Sequence, residues 1–227
     1  MDFEGCSSTR ARVPPKVWEL IRELNALDEI HGTELAAIYK RTTRGFIFYH
    51  EDTPAEFIVV SRGCPFRCTY CVIPKGRGIY SSVPVENILG RARRAIEAGR
   101  RKIYLLGDEV GSYGMDGAGV KIPELLSCVL ALDDQLTIGI RYIEPMSLLK
   151  HFGPIMEHCQ RGRITFLYVP LQSGSPEVLK DMNRRYVLTE LAEKMRALRR
   201  ETGVVLYTNW MVGFPSESDN DFRATVE

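Results

Sequence analysis

Gly63-Cys64-Pro65-Phe66-Arg67-Cys68-Thr69-Tyr70-Cys71 puts three cysteines within eight residues, spaced C-x3-C-x2-C. The run follows Phe57-Ile58-Val59-Val60, an apolar stretch that reads as a buried strand. The thiols therefore fall on the loop that leaves that strand. Three thiolates on one short loop can hold three corners of a cubane cluster and leave its fourth iron without a protein ligand. Iron–sulfur clusters ordinarily take four thiolates, so an open iron points to chemistry at that iron more than to electron carriage alone. Zinc is the rival reading. It would want a fourth Cys or His, and Cys6, Cys128 and Cys159 lie far away in sequence. Cys128 is expected on an apolar helical face and Cys159 near a helix end, where a free cysteine acts as a small buried hydrophobe. Clustered cysteines without a signal-peptide pattern point to metal or catalysis rather than disulfides, and to a cytoplasmic location.

Working outward from the loop, apolar strand candidates recur at Phe57–Val60, Ile103–Leu106, Thr137–Tyr142, Ile164–Val169 and Val204–Val212. Helical patterns separate them. One starts at Pro84-Val85-Glu86, turns Ile88, Leu89, Ala92, Ala95 and Ile96 inward, and stops at Gly99. Pro123–Leu132 and Leu148–Cys159 are two more, and Thr189 reads as the N-cap of a last full helix through Leu191, Met195 and Leu198. Strand and helix alternating at this rhythm predict an α/β fold of parallel strands with helical crossovers. Strands apolar along their whole length suit a sheet covered by helices. About five βα units are present, and a barrel needing a sixth strand is incomplete at the C-terminus.

Residues 1–50 differ from the rest. Val17, Leu20, Ile21, Leu24 and Leu27 give Lys16–Leu27 the spacing of an amphipathic helix, followed by a polar, irregular stretch. The expected division is an N-terminal segment over 1–50 and a βα domain over 51–227. Lys and Arg number 30 against 29 Asp and Glu, a net charge of +1, so the overall balance does not announce a nucleic-acid binder. No apolar stretch approaches a membrane span in length.

In parallel α/β folds the functional groups gather at the C-terminal ends of the strands. Those ends carry the cysteine loop, Gly107-Asp108-Glu109, Glu144-Pro145, Leu171-Gln172-Ser173-Gly174-Ser175 and Val212-Gly213-Phe214-Pro215. With an aromatic residue just before the last cysteine, the loop resembles the signature of the radical S-adenosylmethionine (SAM) enzymes. That resemblance implies that Cys64, Cys68 and Cys71 hold a 4Fe-4S cluster and that SAM chelates its open iron. The other strand ends then acquire uses. Gly107 and Glu109 would receive the SAM ammonium, Gln172 and Ser173 would meet ribose hydroxyls or carboxylate, and Arg185 would pair with the carboxylate. Tyr70 and the backbone from Val212 would flank the adenine. Each glycine and acid also has a plain reading as a turn or a solvated loop residue.

Gly63–Gly78 (GCPFRCTYCVIPKGRG), Ser112-Tyr113-Gly114, Pro170–Tyr186 (PLQSGSPEVLKDMNRRY) and Val212–Phe222 (VGFPSESDNDF) together resemble the methylthiotransferase family. The likeness runs over about 56–227. It implies a partial (β/α)6 radical SAM barrel and methylthiolation of modified adenosine-37 of tRNA, or of a ribosomal-protein aspartate, by way of a 5′-deoxyadenosyl radical. Arg141-Tyr142-Ile143-Glu144-Pro145 favours the threonylcarbamoyladenosine branch. The family also implies an electron donor such as flavodoxin or ferredoxin, and a second 4Fe-4S cluster in an N-terminal domain, of whose cysteines Cys6 would be the last. Where the family reads TDIIVGFPGE, this sequence has Asn209 for the acid and Ser216 for the turn glycine. The activity expected of this chain by itself is reductive SAM cleavage. A divergent radical SAM enzyme acting on another substrate is the second enzyme reading, and a cluster- or zinc-binding remnant without chemistry is the non-enzyme alternative.

Overall fold

The computed structural model describes residues 55–117 and 119–227. The expected helix over Lys16–Leu27 and the assignment of Cys6 lie outside the described residues. The elements run in chain order as β1 (Ala55–Val59), β2 (Ser61–Arg62), α1 (Ile73–Gly76), β3 (Ser81–Ser82), α2 (Val85–Glu97), β4 (Lys102–Leu106) and α3 (Ile122–Leu130). They continue as β5 (Thr137–Ile140), α4 (Pro145–Lys150), α5 (Phe152–Gln160), β6 (Ile164–Tyr168), α6 (Pro176–Asp181), α7 (Leu188–Glu201), β7 (Val205–Tyr207) and α8 (Asp219–Val226). Five strands form one sheet in the order β1-β4-β5-β6-β7, and every neighbouring pair is parallel. Parallel neighbours need long crossovers, and the helices supply them. The five βα units expected from the sequence are these.

The two faces of the sheet have different chemistry because side chains alternate along a strand. Ile58, Ile103, Leu105, Ile138, Ile140 and Leu167 join helix residues such as Ile88, Leu125, Val129 and Leu198 in one buried aliphatic core. The opposite face is aromatic. Phe57, Tyr104, Gly139 and Phe166 lie in cross-strand register on β1, β4, β5 and β6. Tyr104 stacks on Phe57 at 5.2 Å and meets Phe166 edge-on at 5.8 Å. Gly139 makes room for that ring, since a Cβ there would lie 2.3 Å from Tyr104 Cδ1.

Helix ends follow local rules. α2 buries Ile88, Ala92 and Ala95 and closes with Gly99 at φ +79. The Gly99 amide bonds Ile96 O and the Arg100 amide bonds Ala95 O, the paired bonds of a Schellman motif. Three expectations are corrected. The single helix over Leu148–Cys159 is two helices meeting at His151, and the first begins earlier, at Pro145, with Glu144 accepting from the Met146 amide at 2.6 Å. Helix α7 starts at Leu188 after Val187, so Thr189 is an exposed first-turn residue and not the cap. Cys128 is exposed, because α3 already turns Ile122, Leu125, Leu126, Val129 and Leu130 inward and leaves position 128 on the other side. Cys159 is buried as expected.

Replacing Gly139 by alanine is expected to destabilise the domain by about 1–3 kcal/mol, the usual cost of an added methyl in a filled space. Urea-denaturation midpoints measure it. An unchanged midpoint would mean that the Tyr104 ring can step aside freely.

Candidate cluster and cofactor site

The loop carrying Cys64, Cys68 and Cys71 is fixed at both ends by distant parts of the chain. At its start Gly63 adopts φ +75, a left-handed conformation suited to glycine. The Gly63 amide donates to Asp108 Oδ2 at 2.8 Å, which ties the loop to the end of β4. At its far side the loop is stitched to the turn after α6. The Thr69 amide donates to Met182 O at 3.1 Å, and the Thr69 hydroxyl donates to Asp181 O at 2.9 Å. Asn183 Nδ2 donates to Arg67 O at 2.8 Å. Asn183 sits at φ +57, a conformation that asparagine tolerates better than most residues.

Arg184 completes the stitch. One of its terminal nitrogens lies 3.3 Å from Tyr70 Oη and 3.8 Å from Cys68 Sγ. The other donates to Pro170 O at 2.6 Å and pairs with Glu144 at 3.3 Å. The side chains of Arg184 and Glu144 are only 4% and 7% exposed, so the pair is shielded from solvent. Glu109 lies behind it, 2% exposed. Its carboxylate accepts from the amides of Gly111 at 3.1 Å, Glu144 at 3.0 Å and Ser112. Burial raises the Glu109 carboxyl, and those backbone donors oppose the shift. Burial likewise raises Glu144, with Arg184 opposing. Burial pushes the Cys64 thiol up to about 12 and also raises Cys68, where the Arg184 charge pulls the other way.

The remaining residues singled out in the sequence occupy distinct places. Gly107 lines a cavity of about 390 Å³ with Val59, Ser61, Asp108, Arg141 and Tyr142, and a Cβ on it would strike Ser61 Oγ at 2.3 Å. Glu109, read as a receiver for the SAM ammonium, is instead spent on backbone amides. Ser173 is fully buried. Its hydroxyl lies 3.2 Å from Thr225 Oγ1 and accepts from the Ser175 amide, so it holds α8. Gln172 takes φ +72, and its Oε1 accepts from Asn209 Nδ2 at 3.2 Å. Tyr70 is half-buried against Arg184 and Val212 is exposed. Arg185 is exposed too, donating to Asn183 Oδ1. Its neighbour Arg184 is the arginine that enters the site. Nothing in the sequence distinguishes the twins, because a turn has no periodicity to mark an inward residue. Tyr142, at φ +66, and Asp108 also line the cavity, and no sequence signal marks the side chain of either as facing it.

The donor set can be tested against the group it would hold. Cys64, Cys68 and Cys71 are free thiols, each partly accessible on one loop. Among the described residues no group of three or more Cys, His, Asp or Glu is gathered to bind one metal ion. A structural zinc asks its donors to converge on one point, whereas each thiolate of a cubane stands on its own iron. Three partly accessible thiols on one short loop are in their chemistry the donor set of a cubane, and the cavity at the ends of β1, β4 and β5, about 390 Å³, is within the range of small-molecule sites.

The family model described as "Radical SAM superfamily" matches residues 58–227. The chain belongs to the radical SAM superfamily. Membership brings a 4Fe-4S cluster and SAM as cofactors. A probable threonylcarbamoyladenosine tRNA methylthiotransferase of Pyrococcus horikoshii is 33% identical over 170 residues, which is 74% of this chain and 40% of that protein. A tRNA-2-methylthio-N(6)-dimethylallyladenosine synthase of Nitratiruptor sp. is 31% identical over 226 residues, 96% of this chain and 50% of that protein. The chain thus spans half or less of the length of these curated relatives. Among solved structures, the radical S-adenosylmethionine methyltransferase TsrM from Kitasatospora setae superposes with a TM-score of 0.61 at 18% identity, over 77% of this chain and 34% of that one. That likeness shows the radical SAM fold.

Changing Cys64, Cys68 and Cys71 together to alanine is expected to reduce iron and acid-labile sulfide, after anaerobic reconstitution, to background. The far-ultraviolet circular dichroism should not change. Iron retained by the triple variant would place the cluster elsewhere.

Proposed function

We propose that this chain is the radical SAM part of a methylthiotransferase that acts on a modified adenosine of tRNA, the threonylcarbamoyl form first. One observation carries the reading. The segment whose wording resembles the methylthiotransferases, Pro170–Tyr186, is the segment that holds the cysteine loop, through Asp181, Met182, Asn183 and Arg184. The family-like wording and the site are thus one physical unit. Support also comes from the relatives in Pyrococcus horikoshii and Nitratiruptor, both named as enzymes that methylthiolate tRNA adenosine. The second match leaves only about 4% of this chain uncovered, so it must include most of residues 1–50. We assign that segment to the N-terminal part of the same enzyme, and name a flavodoxin- or ferredoxin-type protein as electron donor.

The residues divide the work. Cys64, Cys68 and Cys71 would each hold one iron. Gly107, Asp108, Arg141 and Tyr142 would wall the SAM pocket, which opens off the same strand ends. When bound, the cofactors supply one-electron cleavage of SAM and the 5′-deoxyadenosyl radical that takes hydrogen from an unactivated C–H bond. Arg184 and the Asn183 turn would keep the thiols at fixed positions throughout, since a near-attack geometry is lost by small displacements.

The test is anaerobic incubation of the reconstituted whole enzyme, this chain together with the remaining parts of its methylthiotransferase, with SAM, reductant and tRNA carrying threonylcarbamoyladenosine, followed by mass spectrometry of the digested nucleosides. A methylthiolated threonylcarbamoyladenosine is the expected product. Production of 5′-deoxyadenosine with no modified nucleoside from any adenosine-37 form would overturn the assignment to tRNA.

A further inference from the structure

Arg184 is placed to do more than tie down a turn. An arginine needed only for anchoring could spend its donors on Pro170 O and Tyr70. Here one guanidinium nitrogen also faces the sulfur of Cys68 at 3.8 Å, while the carboxylate of Glu144 stands 3.3 Å from the other. We propose that Arg184 is a positioning residue that raises the reduction potential of the cluster held by Cys64, Cys68 and Cys71, with Glu144 as its opposing charge. The proposal rests on the radical SAM reading of the three cysteines and is independent of the substrate.

The argument is electrostatic. Reduction adds one electron to the cluster and its thiolates, so negative charge grows on the sulfurs. An N–H directed at a ligand sulfur and a fixed positive charge beside it both favour the reduced state, and such contacts are among the protein's main means of setting a cluster's potential. A carboxylate at the same place acts in the opposite sense. Solvent would normally screen both effects, but these two side chains are almost completely buried, where charges act at a lower effective dielectric. The adjacent Arg185 is exposed and turned to Asn183, so only one of the twin arginines contributes. Glu109 is the next acid behind Glu144, and its oxygens are committed to backbone amides.

The experiment is a redox titration of the reconstituted full chain, with dithionite as reductant and the reduced cluster followed by electron paramagnetic resonance in the absence of SAM. Arg184→Gln is expected to shift the midpoint to more negative potential and Glu144→Gln to more positive potential. Arg184→Lys, which keeps the charge and loses the fork, should fall between wild type and Arg184→Gln. Midpoints that do not move, or that move in the same direction for Arg184→Gln and Glu144→Gln, would overturn the proposal. A purely structural role would not give opposite signs. Circular dichroism melts check folding. Should Arg184→Gln be unfolded at the assay temperature, the near-isosteric Glu144→Gln decides alone, a positive shift supporting the proposal and any other result defeating it. A wild-type chain that assembles no reducible cluster would defeat the cluster reading along with it.

Discussion

A loop that must present three thiols at fixed separations cannot hold itself. The Cys64–Cys71 segment has no regular ladder of its own, and ordering a residue's backbone costs about 1–2 kcal/mol. The structure meets this cost with contacts from far along the chain. Gly63 is tied to Asp108 at one end, and Arg67, Cys68, Thr69 and Tyr70 are tied to the Asp181–Arg184 turn, more than a hundred residues away. The parallel sheet matters to the site chiefly because it brings these two stretches together. The loop follows β1 and β2 and the turn follows β6 and α6, and two strands, β4 and β5, stand between β1 and β6 in the sheet.

The same contacts bring charge into a low-dielectric region. Burying an ion pair is costly unless each partner is fully bonded, and removing one partner commonly costs about 3–5 kcal/mol because the other is left uncompensated. Arg184 bonds Pro170 O, Tyr70 and Glu144 through its two terminal nitrogens, and its buried Nε is left without a hydrogen-bond partner. Glu144 also caps α4 through the Met146 amide, and its own amide is held by Glu109. Arg184, Glu144 and Glu109 therefore join the ends of β4 and β5 to the cysteine loop in one connected network. Such networks are rigid because no member can leave without stranding another.

Much of this was legible in the sequence for identifiable reasons. The five strands are marked by apolar runs, and α2 is marked at both ends by Pro84 and Gly99. The three cysteines are marked by spacing alone. The turn that holds them was legible only as family-like wording, and its decisive residue was not. Choosing between Arg184 and Arg185 depends on the left-handed conformation of Asn183, which no hydrophobic period encodes. The same limit explains Glu109 and Ser173. A polar residue at a strand end can face a ligand or bond the neighbouring backbone, and only tertiary contacts choose between these. The split at His151 was hidden because α4 and α5 share one apolar pattern across the break.

The central claim is that the Asp181–Arg184 turn orders the cysteine loop. Hydrogen–deuterium exchange followed by mass spectrometry, comparing wild type with Asn183→Ala, tests it most directly. The account requires faster exchange in peptides spanning Cys64–Cys71, where the Thr69 amide would lose its partner Met182 O, and unchanged exchange in peptides spanning β4 and β5. Equal protection of the loop in both proteins would contradict it.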